Sequence, residues 1–173
     1  MSIRRRALFF TVLLTMTSPL LMGMEGLQGD FESRLLDSQN LEREALGLPP
    51  LKWNASLAES ALAWANALAA SGRFEHAHDG LGDPQGENLW AGTRGYYSPE
   101  AMVSAWSREK RFFKPGVFPD SSTTGDVEDV GHYTQMVWRD TGEVGCAKAT
   151  SAQEDILVCR YSNAGNYVGE IPF

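Results

Sequence analysis

Basic residues are in short supply. The chain has 15 lysines and arginines against 22 aspartates and glutamates, a formal charge of −7. No lysine/arginine stripe with interleaved aromatics runs through its body, so a face able to hold DNA or RNA is excluded. Cysteine is nearly absent: Cys146 and Cys159 are the only two. A disulfide-dense scaffold is excluded, and two cysteines without neighbouring histidines make a poor metal knuckle. Histidine is as scarce, with His76, His78 and His132. The chain also lacks a nucleophile elbow, a zinc-protease helix motif, a phosphate loop and internal repeats. What remains is ordinary for a folded protein, 43% hydrophobic and 21% charged over 173 residues. That length suits one domain with an extra segment.

The extra segment is at the start. Arg4, Arg5 and Arg6 precede an apolar run from Ala7 to Leu14, and Pro19 to Met24 continues it. A positive beginning followed by an apolar stretch reads as an export signal. No Ala-x-Ala cleavage site is present, and Pro19 after Ser18 disfavours cutting there. Two outcomes stay open: cleavage near Gly23 to Gly29, or an uncleaved membrane anchor. The plainer reading, an N-terminal core helix, would begin a buried element with three arginines. Residues 1–24 are therefore read as a signal peptide or signal anchor, and the location as secreted or periplasmic. An oxidising compartment favours a bridge between Cys146 and Cys159, the alternative being two buried thiols.

Residues 31–46 carry Phe31, Leu35, Leu41 and Ala45 at amphipathic helical spacing, stopped by Gly47 and Pro49-Pro50. Asn54 or Ser56 caps a second helix, with Ser56-x-x-Glu59 as a capping box. Leu57, Ala61, Trp64 and Leu68 form its apolar stripe, and Gly72 ends it. Gly80, Gly82, Pro84 and Gly86 mark a loop, and Glu87 to Ala91 a short strand. Ser98-Pro99-Glu100 starts a third helix, predicted to reach Phe113. Residues 114–130 read as a long ordered loop or lid. Val144–Ala149 and Ile156–Tyr161 read as an antiparallel hairpin that a cysteine bridge would staple. Helices first and strands later give an α+β class.

Glu109 is the unusual acid. It lies three residues after Trp106 and seven after Met102, the two best core-facing positions of the third helix, so it points partly inward. An inward acid needs a partner: an arginine, a backbone donor, a histidine or a metal. The plainer reading is a solvated glutamate beside Lys110 and Arg111.

Four blocks carry a resemblance. Gly131-His132-Tyr133-Thr134-Gln135-Met136-Val137-Trp138 resembles the signature of the CAP superfamily, the group of cysteine-rich secretory proteins, antigen 5 and plant pathogenesis-related proteins of class 1. Gly86-Glu87-Asn88-Leu89-Trp90, Cys159-Arg160-Tyr161 with Gly165-Asn166, and Gly47-Leu48-Pro49-Pro50-Leu51-x-Trp53 resemble further family blocks in the family's order. The likeness runs from about Leu35 to Phe173, which sets the domain at 31–173. Asn163 departs from a common proline, and Gln39-Asn40 from a frequent His-Asn.

The resemblance implies a three-layer α-β-α sandwich and a cleft with two histidines and two glutamates, here His76, Glu87, Glu109 and His132. His76 is preferred to His78 because Phe74-x-His76-Ala77 matches the family's histidine followed by a small residue. It also implies that the His132 block is a short helix, although its sequence passes for a strand. Two neutral imidazoles beside two carboxylates suit Zn²⁺ or another divalent cation, with His76 and His132 as ligands; without metal, the carboxylates hold the imidazoles. The implied role is a binding module for a lipid, a sterol-like or another small ligand, with Trp90, Phe112, Phe113 and Tyr133 as the apolar supply. The alternatives are a metal-dependent peptidase or esterase, and a surface interaction or defence protein in which the four residues only pin the fold.

Overall fold

The computed structural model describes residues 19–77 and 84–173, with side chains from residue 30 onward. The segment expected to be a signal peptide or signal anchor, residues 1–24, is thus largely outside the described residues, as are His78, Gly80 and Gly82. Among the described residues no helix is long and apolar enough to cross a membrane.

Helix α1, Pro19–Ala45, begins earlier than its amphipathic stripe indicates. Strand β1 is two residues long, Lys52–Trp53, too short for any periodicity to reveal. Helix α2, Ala55–Ser71, starts where Asn54 accepts hydrogen bonds from the Ser56 and Leu57 amides at 2.9 and 3.2 Å. Asn54 rather than Ser56 is therefore the cap, and the expected Ser56–Glu59 box is not formed. Gly72 closes α2 with φ of 68°, a left-handed conformation that glycine adopts without a Cβ penalty. Strand β2 is Gly86–Thr93. Helix α3, Pro99–Ser107, begins as expected at a Ser98 cap. It stops short of Phe113, because Arg108–Arg111 tighten into a 3₁₀ turn. The loop that follows holds a second short turn, Val127–Asp129, and leads to helix α4, Gly131–Met136. The implied helix at the His132 block is thus present. Strands β3, Glu143–Thr150, and β4, Glu154–Ser162, form the expected antiparallel hairpin.

The sheet order is β1-β3-β4-β2; β1 runs parallel to β3 and the other pairs are antiparallel. The period-2 alternation of β4 sorts its side chains into two cores. Leu157, Cys159 and Tyr161 join Leu35 of α1, Met102 and Trp106 of α3, and Met136 of α4. Ile156 and Val158 join Ala61, Ala65 and Leu68 of α2. Three layers result: α1, α3 and α4, then the sheet, then α2. The sandwich expected from the four blocks is the fold observed. Cys146 and Cys159 stand opposite each other in register, Cα atoms 4.1 Å apart, and are bridged.

Two buried polar groups lock the α1 side. Arg43 is 1% exposed and donates to the carbonyls of Pro49, Met136, Trp138 and Thr141 at 2.8–3.0 Å. These acceptors hold the segment behind α4 against the end of α1, and burial pushes the guanidinium pKa down. Gln39, fully buried, accepts from the Tyr161 hydroxyl at 2.7 Å and turns its amide nitrogen to the two sulfurs at 3.8 and 4.0 Å. Complete burial pushes the Tyr161 phenol far up, so it stays a neutral donor.

Candidate functional site

His76 sits in the irregular run after Gly72, which Trp64 pins by donating its indole N–H to the Glu75 carbonyl at 3.2 Å. Glu87 is the second residue of β2 and shares a sheet face with Leu89, so it belongs to the α2 layer. Its Oε1 lies 2.6 Å from His76 Nδ1 and accepts from the Ala77 amide at 3.1 Å. Its Oε2 is 2.9 Å from Nη2 of Arg160, its cross-strand neighbour on β4, as an ion pair rather than an aligned hydrogen bond. Glu87 is only 7% exposed, whereas His76 is 64% exposed. The hydrogen bond to Glu87 raises the His76 pKa, with burial and Arg160 opposing.

Glu109 reaches inward from the 3₁₀ turn. Its Oε1 lies 2.6 Å from His132 Nδ1. Its Oε2 accepts from the backbone amides of His132 and Tyr133 at 2.9 and 3.0 Å. Helix α4 has Val130 at its cap position, which offers no acceptor. The Glu109 carboxylate therefore caps α4 from a distant segment, satisfying amides that would otherwise lack partners. Trp106 stacks on the His132 ring, centroids 6.0 Å apart at 12°, and donates to the Leu89 carbonyl at 3.0 Å. Asn88 donates to the His132 carbonyl at 3.0 Å and to the Tyr161 hydroxyl at 3.2 Å, linking the site to Gln39.

A cavity of about 670 Å³ joins the two pairs. His76, Glu87 and His132 line it; Glu109 stands behind His132 and does not. Its apolar walls include Phe74, Leu89, Phe118 and Tyr167. The aromatics expected there are elsewhere: Tyr133 is buried in the core, Phe113 packs on Tyr133 and Phe173, Phe112 lies beneath Arg111, and Trp90 contacts Tyr97. Arg160 also lines the cavity and was missed from sequence. The available signal was a charge inside the apolar run Ile156–Tyr161. Gln135 closes another side: its Oε1 accepts from the Gly165 amide at 2.8 Å, and a Cβ on Gly86 would collide with it.

Each imidazole spends Nδ1 on a carboxylate, so Nε2 is the ring nitrogen left for a ligand. A carboxylate behind a histidine is the arrangement that orients metal-binding imidazoles. Among the described residues no group of three or more histidines, cysteines and acids is gathered to hold a metal. Each pair thus offers a single imidazole nitrogen on the cavity wall, a donor type that suits a divalent ion, and the described residues build no closed structural metal site.

The model of the cysteine-rich secretory protein family, CAP, matches residues 36–161. Pathogenesis-related protein PR-1 of Medicago truncatula is 36% identical over 145 residues, covering 83% of this chain and 79% of its own. Pathogenesis-related protein 1A of Nicotiana tabacum is 35% identical over 139 residues, covering 80% and 78%. The crystal structure of NaASP2 with Zn²⁺ superposes with a TM-score of 0.68 at 21% identity, covering 82% of this chain and 83% of that one. The chain belongs to the CAP family of cysteine-rich secretory proteins.

Proposed function

We propose that this chain is an exported binding module whose cavity takes a lipid, a sterol-like molecule or another small ligand with an apolar body and one polar end. The observation that carries the reading is the lining itself: an apolar and aromatic wall of Phe74, Leu89, Phe118 and Tyr167 faces a polar one that includes His76, Glu87, His132, Gln135 and Arg160. Export rests on the basic-apolar start and on the bridged cysteines. The test uses the exported form of the protein and labelled cholesterol and palmitate. Saturable binding is expected, weakened at least about tenfold by Phe74→Asp, a change on a side chain 56% exposed that leaves the core intact. Absence of saturable binding of both probes overturns the reading.

The free Nε2 atoms favour a second reading, a metal-dependent hydrolase. Zn²⁺ or another divalent cation would be held by His76 and His132, and its chemistry would be to polarise a carbonyl or acidify water. Glu87 and Glu109 fix the ring orientations. This reading expects chelator-sensitive peptide or ester hydrolysis that His132→Ala abolishes. Hydrolysis that survives both chelation and that variant removes it.

A further inference from the structure

Strand β3 is eight residues long, yet β1 covers only its first two: Lys52 opposite Glu143 and Trp53 opposite Val144. The chain then turns up at Asn54 into α2. It passes over Gly145 so closely that a Cβ there would collide with the Ala58 backbone. From Cys146 onward, the flank of β3 away from β4 has no strand beside it among the described residues. The backbone parity of that flank is fixed. Gly142 and Val144 accept from the Lys52 and Asn54 amides, so even-numbered residues turn their N–H and C=O outward. The 4.1 Å Cα separation of Cys146 and Cys159 agrees, being the close spacing of a pair that exchanges no backbone hydrogen bonds. Cys146, Lys148 and Thr150 therefore present backbone donors and acceptors to the open side.

A groove of about 680 Å³ follows this flank, with walls on both faces of the sheet. Phe31 and Trp53 stand on the α1 side, Ala58 and Leu62 on the α2 side. Leu62 is 43% exposed, and the wall carries the exposed acid Glu59. Lys148 also lines the groove, but its charge is paired. It is committed to Asp155 at 2.8 Å and lies over the Phe31 ring.

We propose that this flank is a docking surface for an extended segment of a partner protein, apolar in alternate positions and basic at its ends. The segment adds as a strand beside Cys146–Thr150. One set of its side chains enters the Phe31/Trp53 wall and the next set the Ala58/Leu62 wall, as alternation requires. Charge selects the partner: Glu59 and a chain of net charge −7 favour basic flanks. The same charge disfavours a second copy, because antiparallel pairing of two β3 edges would bring two acidic chains and their Glu59 walls together. The inference is independent of the cavity and its ligand.

The experiment uses the exported protein and a panel of labelled seven-residue peptides, KVTVTVK, KLTLTLK and KFTFTFK, with acid-flanked counterparts. Fluorescence anisotropy should show saturable binding of at least one lysine-flanked peptide. The acid-flanked counterpart and the Leu62→Asp variant should each weaken it about tenfold or more, and Glu59→Lys should reverse the flank preference. Amide exchange at Cys146 and Lys148 should slow at least about tenfold on saturation, and by more than at the amides of the β2–β4 pairing, as new hydrogen bonds at this edge require. No saturable binding by the panel overturns the proposal. So does binding that leaves those two amides unchanged. A dimer in light scattering that Leu62→Asp dissolves assigns the flank to a second copy, and overturns it as well.

Discussion

The two histidine–glutamate pairs share the same 2.6 Å bond but belong to opposite layers of the sandwich. His132 is held in the α1/α3/α4 layer. It is stacked on Trp106, its carbonyl is taken by Asn88, and its partner Glu109 also caps α4. His76 belongs to the α2 side, on an irregular segment, with most of its ring in solvent. There the buried member is Glu87, locked between Arg160 and the Ala77 amide. In one pair the histidine is fixed by the fold and its acid is spent on the backbone. In the other the acid is fixed and the histidine is tethered by it. Disruption of the first pair should therefore be read mainly as lost stability, and disruption of the second mainly as altered ionisation.

Trp106→Ala should have the largest effect. The ring is 2% exposed, fills the core and loses a hydrogen bond on truncation. A cost of about 3–5 kcal/mol is expected in urea unfolding. His132 should lose its defined orientation at the same time, visible as broadened or shifted ring resonances in whatever folded protein remains. A cost below about 1 kcal/mol would place the support of His132 elsewhere and dissolve the contrast between the pairs.

Glu109→Ala comes next. It strips the acceptor from two α4 amides at once, and nothing on Val130 can replace it. About 2 kcal/mol is expected, between the loss of a helix cap and that of a buried hydrogen-bonded group. Glu109→Gln should recover part of this, because an amide oxygen still accepts from the two N–H groups. Equal losses for Ala and Gln would show that the carboxylate serves His132 alone and not the helix.

How much of this was legible in the sequence depended on whether the cause was local. Helix α2 was readable because its stripe, its Asn54 cap and its Gly72 stop all lie within it. The cysteine bridge was readable because its strands are adjacent in sequence. Helix α4 was not readable from its pattern, since Tyr133, Val137 and Trp138 favour a strand and its cap comes from Glu109, 23 residues away. The family blocks supplied what local propensity could not. The inward Glu109 was detectable from its spacing to Trp106 and Met102, although its tight 3₁₀ setting was not. Arg160 stayed hidden because its pairing with Glu87 is a fact of β2–β4 register, which only the assembled sheet fixes. Gln39 stood out as a departure from the family. Its role as acceptor for a buried tyrosine needed Tyr161, 122 residues on.

The smallest effect is on the His76 titration, and it tests the tethered pair directly. The hydrogen bond to Glu87 raises the His76 pKa above its ordinary value of 6.5, while partial burial and the Arg160 charge pull the other way. A histidine whose folded pKa is raised binds its proton more tightly in the native state. Its contribution to stability is thus complete below the unfolded value near 6.5, and disappears as pH rises through the folded value. Because the ring is 64% exposed, solvent screens the pair, and the change in stability should be slight. The titration midpoint is the sharper observable. In NMR titrations His76 should ionise above 6.5 in the wild type, and Glu87→Gln should return it toward that value, since a neutral amide cannot favour the imidazolium. The thermal midpoint of Glu87→Gln relative to wild type should fall most at acidic pH and least at alkaline pH. An unshifted His76 in the wild type would mean that burial and the Arg160 charge together cancel Glu87. The tether would then position the His76 ring without favouring its protonated form.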